Sequence, residues 1–328
     1  MTNQPTKDLG ASIRQRLLNQ ARESRRPFNE LLQYYAMERF PYRLSKSPYV
    51  NNFVLKGALM FNVWRGPFSR PTMDIDLLGR LGNDMESIIA ALRRVCIQEV
   101  EPDGLVFEPE SLVGERIIEG AFYEGIRVRL RGSLGTATVV IQIDIGFGDT
   151  IVPFAVTADY PTILDLPVPL VQGYSKESAI AEKFQIMAKL RILNSRLKDF
   201  LDIWLLSHQF DFEGQTMAAA IKETFRNRGT EIPSDPVALM MAFGQDTAKQ
   251  SQWRGFRRRN LLEDAPENLM EVVDSISAFL GPVTEAVALG KTFSEIRKYP
   301  GPWKEMEALN TLQFLKKTLS ACEEFETQ

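Results

Sequence analysis

The spacing of apolar residues predicts alternating helices and strands near the start of the chain. Apolar positions recur with the period of a helix over residues 9–24 and 27–40, and we expect the second helix to end before Pro41. The short apolar run at 53–55 is typical of a buried strand, and the alternation of apolar and polar residues over 72–78 predicts another strand. This first part of the chain is therefore expected to form a sheet with flanking helices.

The apolar pattern changes further along the chain. Residues 104–145 alternate apolar and polar side chains with glycines between the runs, which predicts several strands. After about residue 175 the spacing is helical, with predicted helices at 175–192, 197–208, 215–227, 235–248, 266–289 and 303–325. We predict an α+β chain, with a mixed sheet and flanking helices in domain 1–170 and an all-α bundle in domain 171–328.

The composition argues against several classes of enzyme and metal site. The chain has 328 residues, a net charge of −3, one histidine (His208) and two cysteines (Cys96 and Cys322). Zinc clusters, histidine metal triads, a Ser-His-Asp hydrolase and a disulfide framework are therefore disfavoured. The sequence shows no signal segment and no long apolar run, so we expect a cytoplasmic protein that does not enter a membrane. The remaining reactive groups are carboxylates, Lys, Arg, hydroxyls and a hard metal ion.

Basic residues are unevenly distributed along the chain. Residues 1–56 contain ten Lys/Arg against four Asp/Glu, an excess that suggests a polyanionic partner such as RNA. Two further groups could contact a nucleic-acid backbone. They are Arg127, Arg129 and Arg131 on a predicted strand, and Arg254, Arg257, Arg258 and Arg259 beside two aromatic residues. Ordinary ion pairing on a solvated face is the alternative interpretation for all of them.

Two aspartates stand out in the predicted strand 72–78. Asp74 and Asp76 are two residues apart, so both side chains leave the same face of the strand. Adjacent carboxylates repel each other unless a cation lies between them. Mg²⁺ prefers such oxygen ligands together with phosphates and water. The pair therefore suits a metal-bound nucleotide, and an ordinary surface strand that carries two acids is the alternative.

A third acid, Asp144, lies in the apolar run 139–145, on the face opposite to the apolar side chains. A carboxylate in so apolar a strand is costly unless it is paired or bound to a metal. Three carboxylates on neighbouring strands could hold two Mg²⁺ ions roughly 3.5–4 Å apart, which would activate an attacking hydroxyl and stabilise the leaving phosphate.

Residues that could contact phosphates precede the two aspartates. Gly57 turns a predicted strand into a helix, where the backbone N–H groups of Gly57 and Ala58 can approach a phosphate. Arg70 and Thr72 stand just before Asp74. A glycine turn, a basic residue and three acids in this order are more specific than the acidic pair alone.

In this order, the segments resemble the AbiEii/AbiGii toxin family of MenT-like nucleotidyltransferases, within the DNA polymerase β-type nucleotidyltransferase superfamily. The resemblance covers roughly residues 28–208. The segments that carry it are 53–58, 70–76, 142–149, 181–184 and 194–202. Ala58 is one departure, because the superfamily usually has Gly-Gly or Gly-Ser where this chain has Gly57-Ala58. Ala58 keeps a backbone N–H but supplies no hydroxyl to a phosphate.

The resemblance implies a nucleotidyltransferase fold for the first domain and an active site completed by the helical domain. In this family a Lys and an Asp of the last two segments join the site, and the best matches here are Lys183 and Asp199, with Asp202 next. A lysine beside a triphosphate would offset its charge. The alternative is a solvated helix pair with ordinary ion pairs.

The resemblance further implies a Mg²⁺-dependent toxin that transfers NMP from NTP to RNA, with the tRNA 3′ end as the expected acceptor and an antitoxin as partner. Such a transfer would inhibit translation. The expected catalytic residues are Asp74, Asp76, Asp144, Lys183 and Asp199, and the first three are also the expected metal ligands. The expected nucleotide-binding residues are Lys56, Gly57, Ala58, Arg70, Thr72 and Asp202. Two alternatives stay open: a nucleotidyltransferase for an aminoglycoside-type small molecule, and a non-catalytic module that binds RNA or a protein partner.

Overall fold

The computed structural model describes residues 6–64, 72–119 and 123–305. Contacts between residues divide the chain into two compact units, and the division falls between Ser175 and Lys176. The first unit contains a mixed sheet with flanking helices, and the second is mainly helical. The predicted α+β class is confirmed.

The first unit combines four helices with eight strands in its described part. They are α1 (Thr6–Ser24), α2 (Phe28–Lys46), β1 (Phe53–Lys56), α3 (Met60–Trp64), β2 (Asp74–Gly79), α4 (Met85–Cys96), β3 (Leu105–Phe107), β4 (Val113–Glu119), β5 (Tyr123–Leu134), β6 (Ala137–Phe147), β7 (Val156–Asp159) and β8 (Leu170–Gly173).

The described strands of this unit form one sheet, in the order β3-β5-β6-β2-β1-β8-β7, with β4 also paired to β5. At its centre β2 and β6 are parallel neighbours. β1 runs antiparallel to β2, and β5 runs antiparallel to β6. Because side chains alternate between the two faces of a sheet, Ile75 and Leu77 of β2 and the odd-numbered positions 139–145 of β6 are buried, and the residues between them face the other side.

Helix α2 packs on the sheet and continues past its predicted end. It extends from Phe28 to Lys46 with Pro41 inside it, whereas the sequence predicted an end before that proline. An interior proline costs a helix about 3 kcal/mol through a lost hydrogen bond and a clash. Most residues from Leu31 to Leu44 are buried, and fully burying one large apolar side chain already contributes about 1.5–3 kcal/mol. Tertiary packing therefore outweighs the local signal.

The second unit is built around helix packing. Its elements are α5 (Lys176–Leu190), α6 (Leu197–Ser207), β9 (Phe212–Glu213), α7 (Gly214–Asn227), α8 (Met241–Gln245), α9 (Thr247–Arg259), α10 (Leu269–Ala288), β10 (Ile296–Arg297) and β11 (Trp303–Lys304). Helix α10 contacts α6, α7 and α8. The strands β9, β10 and β11 form a small sheet, which the sequence did not predict because a two-residue strand has no visible period.

Two predicted helices of this unit need correction. In place of one helix over 235–248, the chain forms a 3₁₀ turn at Val237–Leu239, the short α8, and then α9. Asp246 ends the first run and caps α9, because its side chain accepts a hydrogen bond from the Lys249 N–H. A helix was also predicted over 303–325, but residues 303 and 304 form β11 instead. The part of this predicted helix from residue 306 onward lies outside the described residues. No helix in the described ranges combines the length and apolarity needed to cross a membrane.

Candidate active site

Charged residues line up across four neighbouring strands of the large sheet. Lys56 on β1 is paired with Asp76 on β2, and Asp76 is in register with Asp144 on β6. Asp144 in turn is paired with Arg127 on β5. Neighbouring strands lie about 4.8 Å apart, so residues in register on adjacent strands come close together on one face. The row thus brings two acids and two bases together from distant parts of the sequence.

Asp74 joins this row to make a cluster of three carboxylates. One oxygen each of Asp74, Asp76 and Asp144 lies within 4.8 Å of the oxygens of the other two, and all three residues are half-buried. Ile75 between the first two is fully buried, because alternation along β2 turns it toward the core. The three predicted metal ligands therefore lie together.

Arg127 holds the carboxylate of Asp144. Its Nε and Nη2 atoms donate hydrogen bonds to Oδ1 and Oδ2 of Asp144 at 2.8 and 2.7 Å. Gln142 donates a further hydrogen bond to Oδ2 at 3.3 Å. The hydrogen bonds from Arg127 to Asp144 raise the pKa of the guanidinium, which stays charged in any case. Arg127 therefore orients one acid of the cluster, a role that the sequence analysis missed.

A signal for this contact was present in the sequence. Leu134 pairs with Ala137 across a two-residue turn, and Gly135 in that turn has a φ of +60°, as hairpin turns often require. Counting back from such a turn places Arg127 opposite Asp144. The ion-pairing alternative holds for the rest of the group: Arg129 binds Glu115 at 3.0 Å and Arg131 binds Glu108 at 3.4 Å.

Gly57 brings the backbone closest to the cluster. Its φ of +70° lies in the left-handed region, which glycine adopts without a steric penalty. A Cβ atom at this position would lie 1.9 Å from Oδ2 of Asp76, so any other residue would displace that carboxylate. Gly57, the buried Ala58 and Leu59 form a 3₁₀ turn that continues into α3. The predicted strand-to-helix turn is thus present beside the acids.

Two other predicted nucleotide-binding residues contact acids on the same unit. Thr72 donates a hydrogen bond from Oγ1 to Oδ1 of Asp74 at 2.5 Å. Lys56 donates from Nζ to Oδ2 of Asp149 at 2.8 Å. Thr72 therefore orients one carboxylate of the cluster, and Lys56 places a positive charge at the end of the row. Arg70 lies outside the described residues.

The remaining predicted residues form a cluster within the second unit. Nζ of Lys183 on α5 lies 2.8 Å from Oδ2 of Asp202 and 3.5 Å from Oδ1 of Asp199, both on α6. Arg196 donates from Nε to Oδ2 of Asp199 at 2.7 Å. The two aspartate side chains are only 1% and 0% exposed. That Lys183, Asp199 and Asp202 serve the same reaction as the aspartates of the sheet stays a prediction.

The donor set on the sheet fits a hard divalent cation. Three carboxylate oxygens converge, and Mg²⁺ takes carboxylate ligands together with phosphate oxygens and water. Half-buried carboxylates leave room on the solvent side for those further ligands. An arrangement of this kind can bind a metal-complexed polyphosphate.

Comparison with solved structures gives two similar chains from Helicobacter pylori. One is described as a candidate nucleotidyltransferase from H. pylori, with 13% identity and a TM-score of 0.42 over 79% of this chain and 95% of that one. The other is JHP933, with 13% identity and a TM-score of 0.42 over 80% of this chain and 92% of that one. No curated protein matches this chain significantly in sequence.

A family profile does match, and it covers both the carboxylate cluster and the Lys183 cluster. The profile describes the nucleotidyl transferase AbiEii toxin of type IV toxin–antitoxin systems and matches residues 39–278. That range includes β1, β2 and β6 as well as α5 and α6. The chain belongs to the AbiEii nucleotidyl transferase toxin family.

Proposed function

We propose that this protein transfers NMP from an NTP to an RNA acceptor in a Mg²⁺-dependent reaction, that the acceptor is the 3′ end of tRNA, and that the transfer inhibits translation in the cytoplasm. The observation that carries this proposal is the convergence of three carboxylates beside a glycine turn, in a chain of a nucleotidyltransferase family.

The residues of the first unit have distinct roles in this proposal. Asp74, Asp76 and Asp144 would hold Mg²⁺, with two ions as the expected number. When bound, the metal neutralises phosphate charge and lowers the pKa of a coordinated hydroxyl. Thr72 and Arg127 keep two of the carboxylates oriented through the hydrogen bonds described above. Oriented ligands lose less conformational freedom when the nucleotide binds.

Basic residues near the phosphates are the second part of the proposal. Lys56 ends the strand that leads into the Gly57 turn, and its ammonium can share its charge between Asp149 and a phosphate oxygen. Family resemblance adds Lys183, with Asp199 and Asp202 holding its ammonium group. We assign these lysines to offsetting triphosphate charge.

Helix α9 supports RNA as the acceptor class. Its sequence contains no acidic residue and ends in three arginines. Arg254, Arg258 and Arg259 are exposed, and no ion pair joins them to an acid among the described residues. A cationic surface of this kind binds a phosphodiester backbone without reading its sequence. A cationic aminoglycoside would be repelled by it.

Family membership supports an antitoxin partner, and the resemblance to MenT-like nucleotidyltransferases supports tRNA as the proposed acceptor. A type IV toxin–antitoxin family implies a second gene product that counteracts this one. In this reaction the terminal 3′-oxygen of the tRNA would attack the α-phosphorus of the NTP, form a phosphodiester bond and release pyrophosphate. The hydroxyl that accepts an amino acid would thereby be blocked, and translation would stop.

The direct test incubates the purified protein with Mg²⁺, total tRNA and each α-labelled NTP in turn. We expect label on tRNA, and we expect Asp74→Ala and Asp76→Ala to abolish it. Asp159→Ala is the matched control, because this aspartate is exposed on β7 of the same sheet. EDTA should remove the activity, and added Mg²⁺ should restore it.

Other results would redirect the proposal. Label on a small cationic acceptor but not on RNA would favour the aminoglycoside-type enzyme. RNA binding without any transfer, unchanged in Asp74→Ala, would favour a non-catalytic module. Transfer that persists in both aspartate variants would contradict the assignment of the site.

A further inference from the structure

A cavity of about 420 Å³ lies in the first unit beside the carboxylate cluster. Pairs of residues four apart, which share one side of a helix, form much of its lining. They are Gln20 and Ser24 on α1 and Tyr34 and Glu38 on α2, and Ala58 in the 3₁₀ turn and Asn62 in α3 are a further pair four residues apart. The segment 160–163 after β7 closes another side.

Thr72 connects this cavity to the acids. It lines the cavity, and its backbone N–H donates a hydrogen bond to the hydroxyl oxygen of Tyr34 at 3.2 Å. Its own hydroxyl donates to Asp74. A molecule that fills the cavity is therefore separated from the carboxylate cluster by a single residue, within reach of a reaction at that cluster.

The polar groups of the cavity are arranged to recognise a ligand with hydrogen-bonding edges. Asn62 donates from Nδ2 to the hydroxyl of Tyr160 at 3.0 Å. Its Oδ1 and its second amide hydrogen make no hydrogen bond within the described residues. The hydroxyl of Tyr34 accepts from Thr72 and can donate its own proton. An amide and a phenol hydroxyl offer the donors and acceptors that pair with the edge of a nucleobase.

The other walls of the cavity suit a flat ring. Leu31, Pro161 and Ile163 supply apolar surface. Glu38 is buried at 1% exposure and is held by the Ile163 N–H at 2.6 Å, so this wall is fixed. Small-molecule sites have volumes of about 300–1,000 Å³ and combine apolar walls with a few placed polar groups. The volume admits one nucleoside.

We propose that this cavity binds a nucleoside, with the base edge against Asn62 and Tyr34. The proposal rests on the nucleotidyltransferase function above and specifies where a reactant is recognised. The nucleoside of the NTP and the terminal nucleoside of the RNA acceptor offer the same chemistry, and the test separates these two sources.

The test compares Asn62→Leu with Asn52→Leu in the full chain. Both asparagines are half-buried, but Asn52 lies just before β1, at the end of that strand away from Lys56. Calorimetry would measure binding of the four NTPs with Mg²⁺, and of a short single-stranded RNA with a free 3′-hydroxyl. We expect Asn62→Leu to weaken one of these ligands at least tenfold, the effect of about 1.4 kcal/mol, and Asn52→Leu to change neither.

Each result decides the proposal. Weaker NTP binding with unchanged RNA binding assigns the cavity to the donor nucleoside, and the reverse result assigns it to the acceptor. Wild-type affinity for both ligands in Asn62→Leu overturns the proposal, as does a wild-type protein that binds neither. If Asn62→Leu does not fold, the nearly isosteric Asn62→Asp removes the amide donors, and the same tenfold loss is expected.

These binding measurements require no turnover, so they separate this proposal from the proposed function. If the wild-type protein transfers no label, but Asn62→Leu binds nucleotide more weakly than the wild type does, the cavity assignment is kept and the proposed enzymatic function is rejected. If the wild-type protein is active, but Asn62→Leu and Asn52→Leu both bind NTP and RNA with wild-type affinity, the proposed function is kept and the cavity assignment is rejected.

Discussion

Two clusters of aspartates differ in how the protein surrounds their charge. On the sheet, three half-buried carboxylates point their oxygens at one another within 4.8 Å. In the helical unit, Asp199 and Asp202 are almost completely buried, and Lys183 and Arg196 bind them at 2.7–3.5 Å. In the first arrangement Arg127 binds Asp144, but the three converging oxygens still suit a cation from outside the chain. In the second, the chain supplies a cationic side chain to each buried aspartate.

This difference shows what residue spacing can and cannot indicate. Acids two apart on a strand and acids three apart on a helix both share a face. Spacing therefore predicts a cluster in each case, and only burial and neighbouring charges distinguish the two kinds. Removing a carboxylate should affect activity most in the sheet cluster and stability most in the helical cluster.

The largest effect is expected for Asp74→Asn. Loss of one metal ligand should lower kcat/KM for NMP transfer by roughly 10³-fold, a loss of about 4 kcal/mol in transition-state stabilisation. The free energy of unfolding should change by less than about 1 kcal/mol, because asparagine still accepts from Thr72 and repulsion among the acids falls. Initial rates and urea unfolding measure the two quantities. A large loss of stability would show that the sheet cluster is structural as well.

Gly57→Ala should lower the transfer rate by about 10²-fold, because its Cβ atom would displace the carboxylate of Asp76. Gly290→Ala is the matched control: its φ is +66°, and a Cβ there would meet no atom within 4 Å. Both variants should lose about 1–2 kcal/mol of stability from the left-handed backbone. Equal activities in the two variants would contradict the close approach of Gly57 to the cluster.

Asp202→Asn should be the most destabilising of these changes, by about 3–5 kcal/mol, because it removes the carboxylate that lies 2.8 Å from Lys183 in a buried network. Asp211→Asn is the control, since Asp211 binds Lys298 at the same 2.8 Å but in an exposed pair. Exposed pairs contribute about 0–1 kcal/mol. Thermal and urea unfolding would compare the variants, and similar losses in both would remove the distinction between the clusters.

A third buried carboxylate, Glu38, extends the comparison to pH. Burial raises its pKa to about 7, although Arg39 lies 2.9 Å away. The folded state therefore keeps a proton between pH 4.5 and 7 that the unfolded chain releases. The stability gained from neutral Glu38 is present below pH 4.5 and is lost as the pH rises through 7.

We expect Glu38→Gln to remove this pH dependence. The unfolding free energy of the wild type, relative to that of the variant, should fall by about 2–3 kcal/mol from pH 4.5 to 7.5. Glu115→Gln, which alters an exposed pair with Arg129, should leave the pH profile unchanged. Parallel profiles for the wild type and Glu38→Gln would show that burial does not neutralise this acid.

Local patterns predicted most of the elements that form the candidate site. Strands β2 and β6 have buried apolar residues at alternating positions, and β1 begins with three consecutive buried apolar residues. Both patterns are visible in the sequence. The α9 helix was missed because its exposed, polar surface gives almost no apolar stripe, with only Lys249 and Trp253 buried. The end of α2 was predicted too early because Pro41 is a local helix-ending signal, whereas the burial of α2 against the rest of the unit keeps the helix intact to Lys46.

Apart from one hairpin register, contacts between distant residues could not be predicted from the sequence. The hairpin register joins Arg127 to Asp144 across 17 residues, and a turn rule could have found it. The cavity beside Thr72 combines residues from 20 to 163, and no period or motif links those positions. Their meeting depends on how α1 and α2 pack on the finished sheet.

The parallel pairing of β2 with β6 also determines when this site can exist during synthesis. Asp76 and Asp144 become neighbours only through that pairing, and the acids of β2 leave the ribosome long before β6 does. A nascent chain that ends before β6 holds two of the three carboxylates and lacks the strand that pairs in parallel with β2. The complete set of three acids therefore forms only after β6 has been synthesised and has paired with β2, and the proposed transfer reaction would be possible only from that point.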